Sequence, residues 1–220
     1  MAEMHDTTEE YLEQILELEE EGTRPMRARL VERLGLSAAA VSETVGRLEG
    51  NGFVELRDDR SLKLTEKGRT LATTVVRRHR LAERLLLDVI GLEWEKVHRE
   101  ADRWEHAISS DVEEKLVELL GDPMTCPHGN PIPGSKRTSP TIPSFALSDA
   151  EPGHVTVARI SEKLELSDEG LSLVAAARLI PGAHAEIMSS GPDGVLVRTT
   201  AGDTTVPAEV AEQMYVATSA

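Results

Sequence analysis

The chain has 220 residues, of which 40% are hydrophobic but only 3% aromatic, enough to bury aliphatic cores in one large domain or in two to three small ones. A single cysteine, Cys126, excludes an internal disulfide and a structural zinc finger, and no apolar run approaches the roughly 20 residues of a membrane span. The formal net charge of −15 is unevenly spread: Glu3 to Glu21 holds nine acids and no Lys or Arg, whereas Gly22 to Lys67 holds nine Lys/Arg against seven acids, a locally basic module in an acidic chain.

In chain order, Asp6 or Thr7 is placed to cap a first helix, with Tyr11, Leu12, Ile15, Leu16 and Leu18 on its apolar face and Gly22 as its stop. A second helix spans about Met26 to Leu34. Gly35-Leu36-Ser37 makes a tight turn, and Ser37 caps a third helix, Ala38 to about Gly50, with Val41, Val45 and Leu48 inward. Phe53 to Arg57 and Leu62 to Thr65 form a hairpin around Asp58-Asp59-Arg60-Ser61, so residues 1–72 read as a winged helix-turn-helix domain. Three more helices follow, from Thr65 to about Ile90, Glu93 to about Ile108 and Asp111 to Leu120, giving a helical domain over 73–140. Leu81, Leu85, Leu86, Val89, Ile90, Leu92 and Val97 supply more apolar surface than one small domain uses, which predicts a helical dimer interface. Seven of the eleven prolines lie between Gly121 and Gly153, an irregular connection. Beyond it, short β runs at His154–Ile160, Ala185–Met188, Val195–Thr199 and Thr204–Val206, with one helix near Ser167–Arg178, predict a small SH3-like β-barrel over 150–220. The fold class is mainly α with small β elements.

Three helices carry metal-competent side chains on one face each. Glu10 and Glu13 are i, i+3; His79 and Glu83 are i, i+4; His98, Asp102, Glu105 and His106 are i, i+4, i+7 and i+8. Charges at such spacing usually mark a solvated face, but imidazoles and carboxylates together on two of the helices suit a transition metal. Glu95 and His98 also form one Glu-x-x-His unit of the kind found in di-metal carboxylate enzymes. That architecture needs two helical units, and the only other occurrence, Glu151 to His154, straddles Pro152 and Gly153. A binding protein is therefore expected rather than an enzyme. Cys126 and His128, in a Pro/Gly loop, are read as structural.

Asp6-Thr7-Thr8-Glu9, Arg27-Ala28-Arg29, Asp59-Arg60-Ser61-Leu62, Gly68 to Thr73, His79 to Leu86, Arg103-Trp104-Glu105-His106 and Gly129 to Gly134 resemble the diphtheria-toxin-repressor family of metal-dependent repressors. The likeness is dense from Asp6 to Gly134 and only architectural beyond. It implies a cytoplasmic repressor that binds double-stranded operator DNA as a homodimer, with one or two dimers per operator, controls metal-homeostasis genes and has no membrane partner. The acidic N-terminus, which lacks the basic flank of a signal peptide, is consistent with that location.

The resemblance also implies two metal positions. The ancillary one carries over to His79, Glu83 and His98, and the primary one to Glu10, Asp102, Glu105 and His106. Iron-sensing members have methionine and cysteine where this chain has Glu10 and Asp102; the manganese-regulator branch has acids at both, plus one matching Glu13. Hard oxygen donors favour Mn²⁺ as the cofactor, with Fe²⁺ the alternative. A gap-free comparison puts the family's two ligands from the C-terminal domain at Ser167 and Gly170, neither a good donor. The family's anion site matches at Arg80 and Asn130, with Cys126 in place of a serine. Implied DNA contacts are Arg27, Ala28, Arg29, Ser37, Ser42, Arg60 and Ser61 to phosphates, with Glu43 at the base-reading position and Arg47 one turn beyond.

Overall fold

The computed structural model describes residues 2–137 and 143–218, with side chains from Thr7 onward, and divides into two compact units, 1–78 and 79–220. Residue 140, where the sequence puts the end of the helical domain, lies outside the described residues.

The first unit is built on an aliphatic core. Helix α1 (Ala2–Glu20) starts earlier than expected, because Ala2, Glu3 and Met4 are good helix formers; Asp6 and Thr7 are therefore positions within the helix rather than at its start. Tyr11, Leu12, Ile15, Leu16 and Leu18 are buried against α2 (Arg27–Leu34) and α3 (Ala38–Gly50). Gly35, at φ 65°, closes α2 in the left-handed conformation that glycine adopts without strain. The Ser37 hydroxyl then accepts from the Ala40 N–H at 3.2 Å, so the second helix of the motif starts where the sequence puts it. Val41, Thr44, Val45 and Leu48 face inward.

Strands β1 (Val54–Leu56) and β2 (Leu62–Leu64) pair antiparallel, with Val54 opposite Leu64 on the core side and Glu55 opposite Lys63 outside. Both are shorter than predicted. Helix α4 (Glu66–Arg84) follows, and the Thr65 hydroxyl caps it by accepting from the Gly68 N–H at 3.0 Å. Gly68 is required there: a Cβ would stand 2.0 Å from the Phe53 carbonyl oxygen.

In the second unit, the end of α4 passes into a single π-helical turn, Leu85–Ile90, which Gly91 terminates at φ 79°. A 3-10 turn (Trp94–Lys96) leads into α5 (Val97–Trp104), whose exit tightens to another 3-10 turn, Glu105–Ala107, before α6 (Ser110–Leu120). The expected single helix over Glu93–Ile108 is thus three pieces. Leu81, Leu86, Val97, Ala101, Ile108, Leu116 and Ile132 form the core of these helices, while Val89, Ile90, Val112 and Leu119 stay exposed.

Beyond the irregular segment lies a six-stranded antiparallel sheet in the order β3-β8-β4-β5-β6-β7, comprising β3 (Phe145–Ala146), β4 (Gly153–Ile160), β5 (His184–Gly191), β6 (Gly194–Thr199), β7 (Gly202–Pro207) and β8 (Met214–Thr218). Between β4 and β5 are a one-turn helix, α7 (Glu162–Glu165), and α8 (Asp168–Ala176); α9 (Ala208–Ala211) precedes β8. The sequence reading contained neither α7 nor the strands β3 and β8. Four residues are too few for helical periodicity to register. Among the described residues no helix is long and apolar enough to cross a membrane.

Candidate metal centre and nucleic-acid interface

The second unit buries an unusual number of ionisable groups. His79, Arg80 and Glu83 project from the last turns of α4, His98 from the start of α5 and Glu105 from its 3-10 exit; each is less than a tenth exposed. The His79 Nδ1 lies 2.6 Å from Glu105 Oε2 and 3.4 Å from Asp102 Oδ1. Its Nε2 faces His98 Nδ1 at 3.1 Å and Glu83 Oε1 at 3.5 Å. Two imidazole nitrogens and a carboxylate oxygen that converge inside a protein are an arrangement a cation can unify. Asp102 is half-exposed at the margin, and His106 Nε2 stands 3.3 Å from Glu105 Oε1.

The sequence missed half of this cage. Glu162 and Glu165, both on α7, enter it: Glu165 Oε2 is 3.1 Å from His98 Nδ1, and Glu162 Oε2 is 3.8 Å from the same nitrogen. They have the same i, i+3 spacing as Ser167 and Gly170 but sit five residues earlier, on α7. Ser167 instead caps α8 by accepting from the Gly170 N–H, and Asp168 pairs with Arg99 at the surface.

Cys126 and His128 are also buried here. His128 Nδ1 is 2.9 Å from Glu83 Oε1 and 2.7 Å from Glu165 Oε2, and the Trp94 ring closes over the imidazole edge-on at 4.7 Å between centroids. Their loop is pinned to the sheet: the His128 carbonyl accepts from the Ile160 N–H, and Gly129, at φ 89°, passes so close to β4 that a Cβ would stand 2.2 Å from the Ala158 carbonyl oxygen. A cleft of about 420 Å³ is lined by Arg84, Trp94, Cys126 and Gly129 among others.

Arg80 and Asn130, expected around a free anion, are both turned to the Glu162 carboxylate; Arg80 reaches its Oε1 at 3.0 Å and Asn130 at 3.4 Å. Asn130 donates more closely to Glu165 Oε1, at 2.8 Å. The two residues act as a clamp that carries α7 to the histidines.

Electrostatics follow from this crowding. Burial disfavours the imidazolium form of His79, but Glu105 and Glu83 outweigh it and hold the group well above the ordinary histidine range. His98 is raised likewise by Glu165 and Glu83 against its burial, and His128 by Glu165 and Glu83 against its own. Burial raises Glu165, with Glu162 adding to it, and burial also raises Asp102. Glu83 is held well below the carboxylate range by His128 and His79 despite burial. The Cys126 thiol is pushed up to about 12, by burial and then by Glu83.

The donor set fits a divalent cation. Three groups, His79–Glu83–His98, Glu83–Cys126–His128 and His98–Glu162–Glu165, each bring one ligand atom per residue within 4.8 Å of the others. Glu83 Oε2, His128 Nε2 and Glu162 Oε2 are buried without a hydrogen-bond partner, which is costly unless something else binds there.

In the first unit, Glu10 is exposed and Glu13 buried on α1. The outer face of α3 exposes Ser42, Glu43 and Arg47 beyond the exposed cap Ser37. Arg27 is half-buried, whereas Ala28 and Arg29 are exposed in the first turn of α2, whose N-terminus has no side-chain cap. The hairpin attaches beside them: the Leu62 N–H donates to the Pro25 carbonyl and Arg24 pairs with Asp59. Arg60 is exposed at φ 66°, a left-handed residue at the tip of the turn. Ser61 is buried and donates its hydroxyl to Asp59 Oδ1 at 2.6 Å. Glu95 lies in the 3-10 turn before α5 and His154 in a strand, so neither Glu-x-x-His segment is a regular helical pair.

Residues 3–62 match the family model "Iron dependent repressor, N-terminal DNA binding domain", and residues 65–134 match "Iron dependent repressor, metal binding and dimerisation domain". The iron-dependent repressor IdeR of Mycobacterium tuberculosis is 43% identical over 98% of this chain and 99% of its own length. The diphtheria toxin repressor of Corynebacterium diphtheriae is 45% identical over 86% and 87%. Among solved structures, a manganese-dependent transcriptional repressor in complex with manganese superposes with a TM-score of 0.84 at 30% identity, over 96% of this chain and all of the other. The manganese regulator SloR does so with a TM-score of 0.78 at 27%, over 96% and 98%.

Proposed function

The chain belongs to the diphtheria-toxin-repressor family of metal-dependent transcriptional repressors, and from that premise we propose that it is a manganese-dependent repressor that binds operator DNA as a homodimer when metal-loaded and controls metal-homeostasis genes. The observation that carries the metal-dependent part is the buried convergence of His79, Glu83 and His98 with Glu165. A divalent cation held there supplies the positive charge that these carboxylates lack at neutral imidazoles.

We assign His79, Glu83 and His98, with Glu162 and Glu165 from α7, to the ancillary position. Glu10, Glu13, Asp102, Glu105 and His106 are assigned to the primary one. Without a cation those five residues, four of them carboxylates, repel one another; once it is bound, Glu10 and Glu13 tie α1 to the dimerisation helices, which favours the half-site spacing that an operator requires. The exposed Val89, Ile90, Val112 and Leu119 support dimer contact through the helical part, and the six-stranded sheet is read as an SH3-like module.

On the DNA side, α3 enters the major groove. Arg27, the Ala28 N–H, Arg29, Ser37, Ser42, Arg60 and Ser61 hold phosphates, Glu43 accepts from a cytosine amino group, and Arg47 meets phosphate or base. The assignment of Mn²⁺ over Fe²⁺ rests on carboxylates at Glu10 and Asp102, since hard donors suit Mn²⁺. Operator binding titrated against buffered free Mn²⁺ and Fe²⁺ tests it: Mn²⁺ should activate at the lower concentration, and activation by far less Fe²⁺ would overturn the choice of metal. In the same assay Glu10→Ala should weaken Mn²⁺ activation; unchanged activation removes Glu10 from the ligand set.

A further inference from the structure

The aliphatic core of the first unit encloses a phenol. Tyr11, on α1, is 1% exposed in the core that also holds Leu12, Val41, Val45 and Leu48, and its hydroxyl is buried without a hydrogen-bond partner. A buried tyrosine O–H usually has one, because an unsatisfied donor away from water is costly. The groups that act on this phenol are the Thr44 hydroxyl on the inner face of α3 and, through their charge, Glu10 and Arg47. Thr44 is buried as well, and its Oγ1 accepts from Arg47 Nη2 at 3.5 Å, the outer limit of a hydrogen bond. Arg47, one turn further along α3, is exposed. Tyr11, Thr44 and Arg47 therefore run from the core of the unit to the surface of the helix assigned to the major groove.

We propose that Tyr11 is a positioning residue for DNA recognition: when Arg47 swings out to the operator, the Tyr11 hydroxyl replaces it as the donor to Thr44 Oγ1. The inference rests on the DNA-binding reading above and deepens it, by giving α1 a part in how α3 meets the groove. A threonine oxygen accepts equally from a guanidinium or a phenol. Arg47 gives up only a long, weak bond when it leaves, but the oxygen it leaves behind is buried where water does not replace the donor. With the phenol in place, Thr44 keeps a donor in both states, and the hydroxyl that is unpartnered in the free protein gains an acceptor in the complex. Without the phenol O–H, the departure of Arg47 strands Thr44, and operator binding is weakened by that amount.

The test uses the full chain saturated with Mn²⁺ and a duplex that the wild-type protein selects from random-sequence DNA. Tyr11→Phe keeps the ring in the core and should weaken binding to that duplex about 2- to 10-fold, the range set by one neutral hydrogen bond, with the bound Mn²⁺ count unchanged. In a chain carrying Arg47→Ala, Thr44 is open to Tyr11 whether or not DNA is bound, so adding Tyr11→Phe should change affinity by less than about 2-fold; the same holds in a chain carrying Thr44→Val, which has no oxygen to exchange. A tyrosine that only fills the core loses the same factor in all three backgrounds. That equal loss, or an unchanged affinity for Tyr11→Phe in the otherwise wild-type chain, overturns the exchange and leaves the DNA-binding reading standing. A wild-type chain that selects no duplex overturns both.

Discussion

The two units place their polar chemistry on opposite sides of their cores. In residues 1–78 the interior is aliphatic and the groups proposed to meet DNA, Arg29, Ser42, Glu43, Arg47 and Arg60, lie outside. In residues 79–220 the helices and the sheet meet across histidines, glutamates and an arginine that are almost wholly buried. The first unit can be stable without a ligand, since its core is aliphatic and its buried Glu17 is paired with Arg33. The second carries buried charge that its fold alone only partly compensates, so its stability should track what binds there.

Substitutions separate these behaviours. The largest effect is expected from Arg80→Met, which leaves Glu162 buried without its cation and should cost about 3–5 kcal/mol of metal-free stability, seen as a lowered midpoint in urea unfolding of the second unit. Leu48→Ala, in the first core, should cost roughly 2–5 kcal/mol and do so equally with and without metal. A metal-sensitive loss at Leu48 would blur the distinction between the units.

Metal and pH form the next contrast. Saturating metal at about 100 times its Kd should stabilise the second unit by roughly 2.7 kcal/mol. In the metal-free protein the folded-state pKa values of His79, His98 and His128 lie above their unfolded value, so their contribution is full below about 6.5 and is lost as pH rises through the raised values. Glu83 works in the other direction, its contribution being lost only as pH falls through its lowered value. Metal-free melting should therefore decline on the alkaline side, and apparent metal affinity should rise there because protons no longer compete. A flat alkaline profile in calorimetry would contradict the protonated cage.

The smallest effect on stability is expected at Arg47→Ala: an unchanged melting temperature, with weaker operator binding and, if Arg47 meets phosphate, a salt dependence lowered by about one ion.

The same contrast explains what the sequence made legible. Helices α2 and α3, the Ser37 cap and the hairpin follow from local periodicity and turn residues, so their positions could be read to within a residue or two. His79, Glu83, His98 and Glu105 were legible because each lies on a helix whose spacing aligns it with others. Glu162 and Glu165 were not, because α7 is one turn long and reaches the histidines only through a tertiary clamp by Arg80 and Asn130. Cys126 and His128 were passed over as loop residues for a related reason: what buries them is Gly129 against β4 and Trp94, contacts remote in sequence. Ser161, which caps α7 by accepting from the Leu164 N–H, and the i, i+3 pair of glutamates after a β run were local signals that pointed to it.

The central claim is that cation binding in the second unit governs DNA binding by the first. Operator affinity of the full chain, measured after chelation and again with Mn²⁺ restored, over a range of salt concentrations, tests it most directly. The account predicts weak binding after chelation and tight binding with Mn²⁺ that falls steeply with salt. Equally tight, operator-specific binding in the metal-free protein would contradict it.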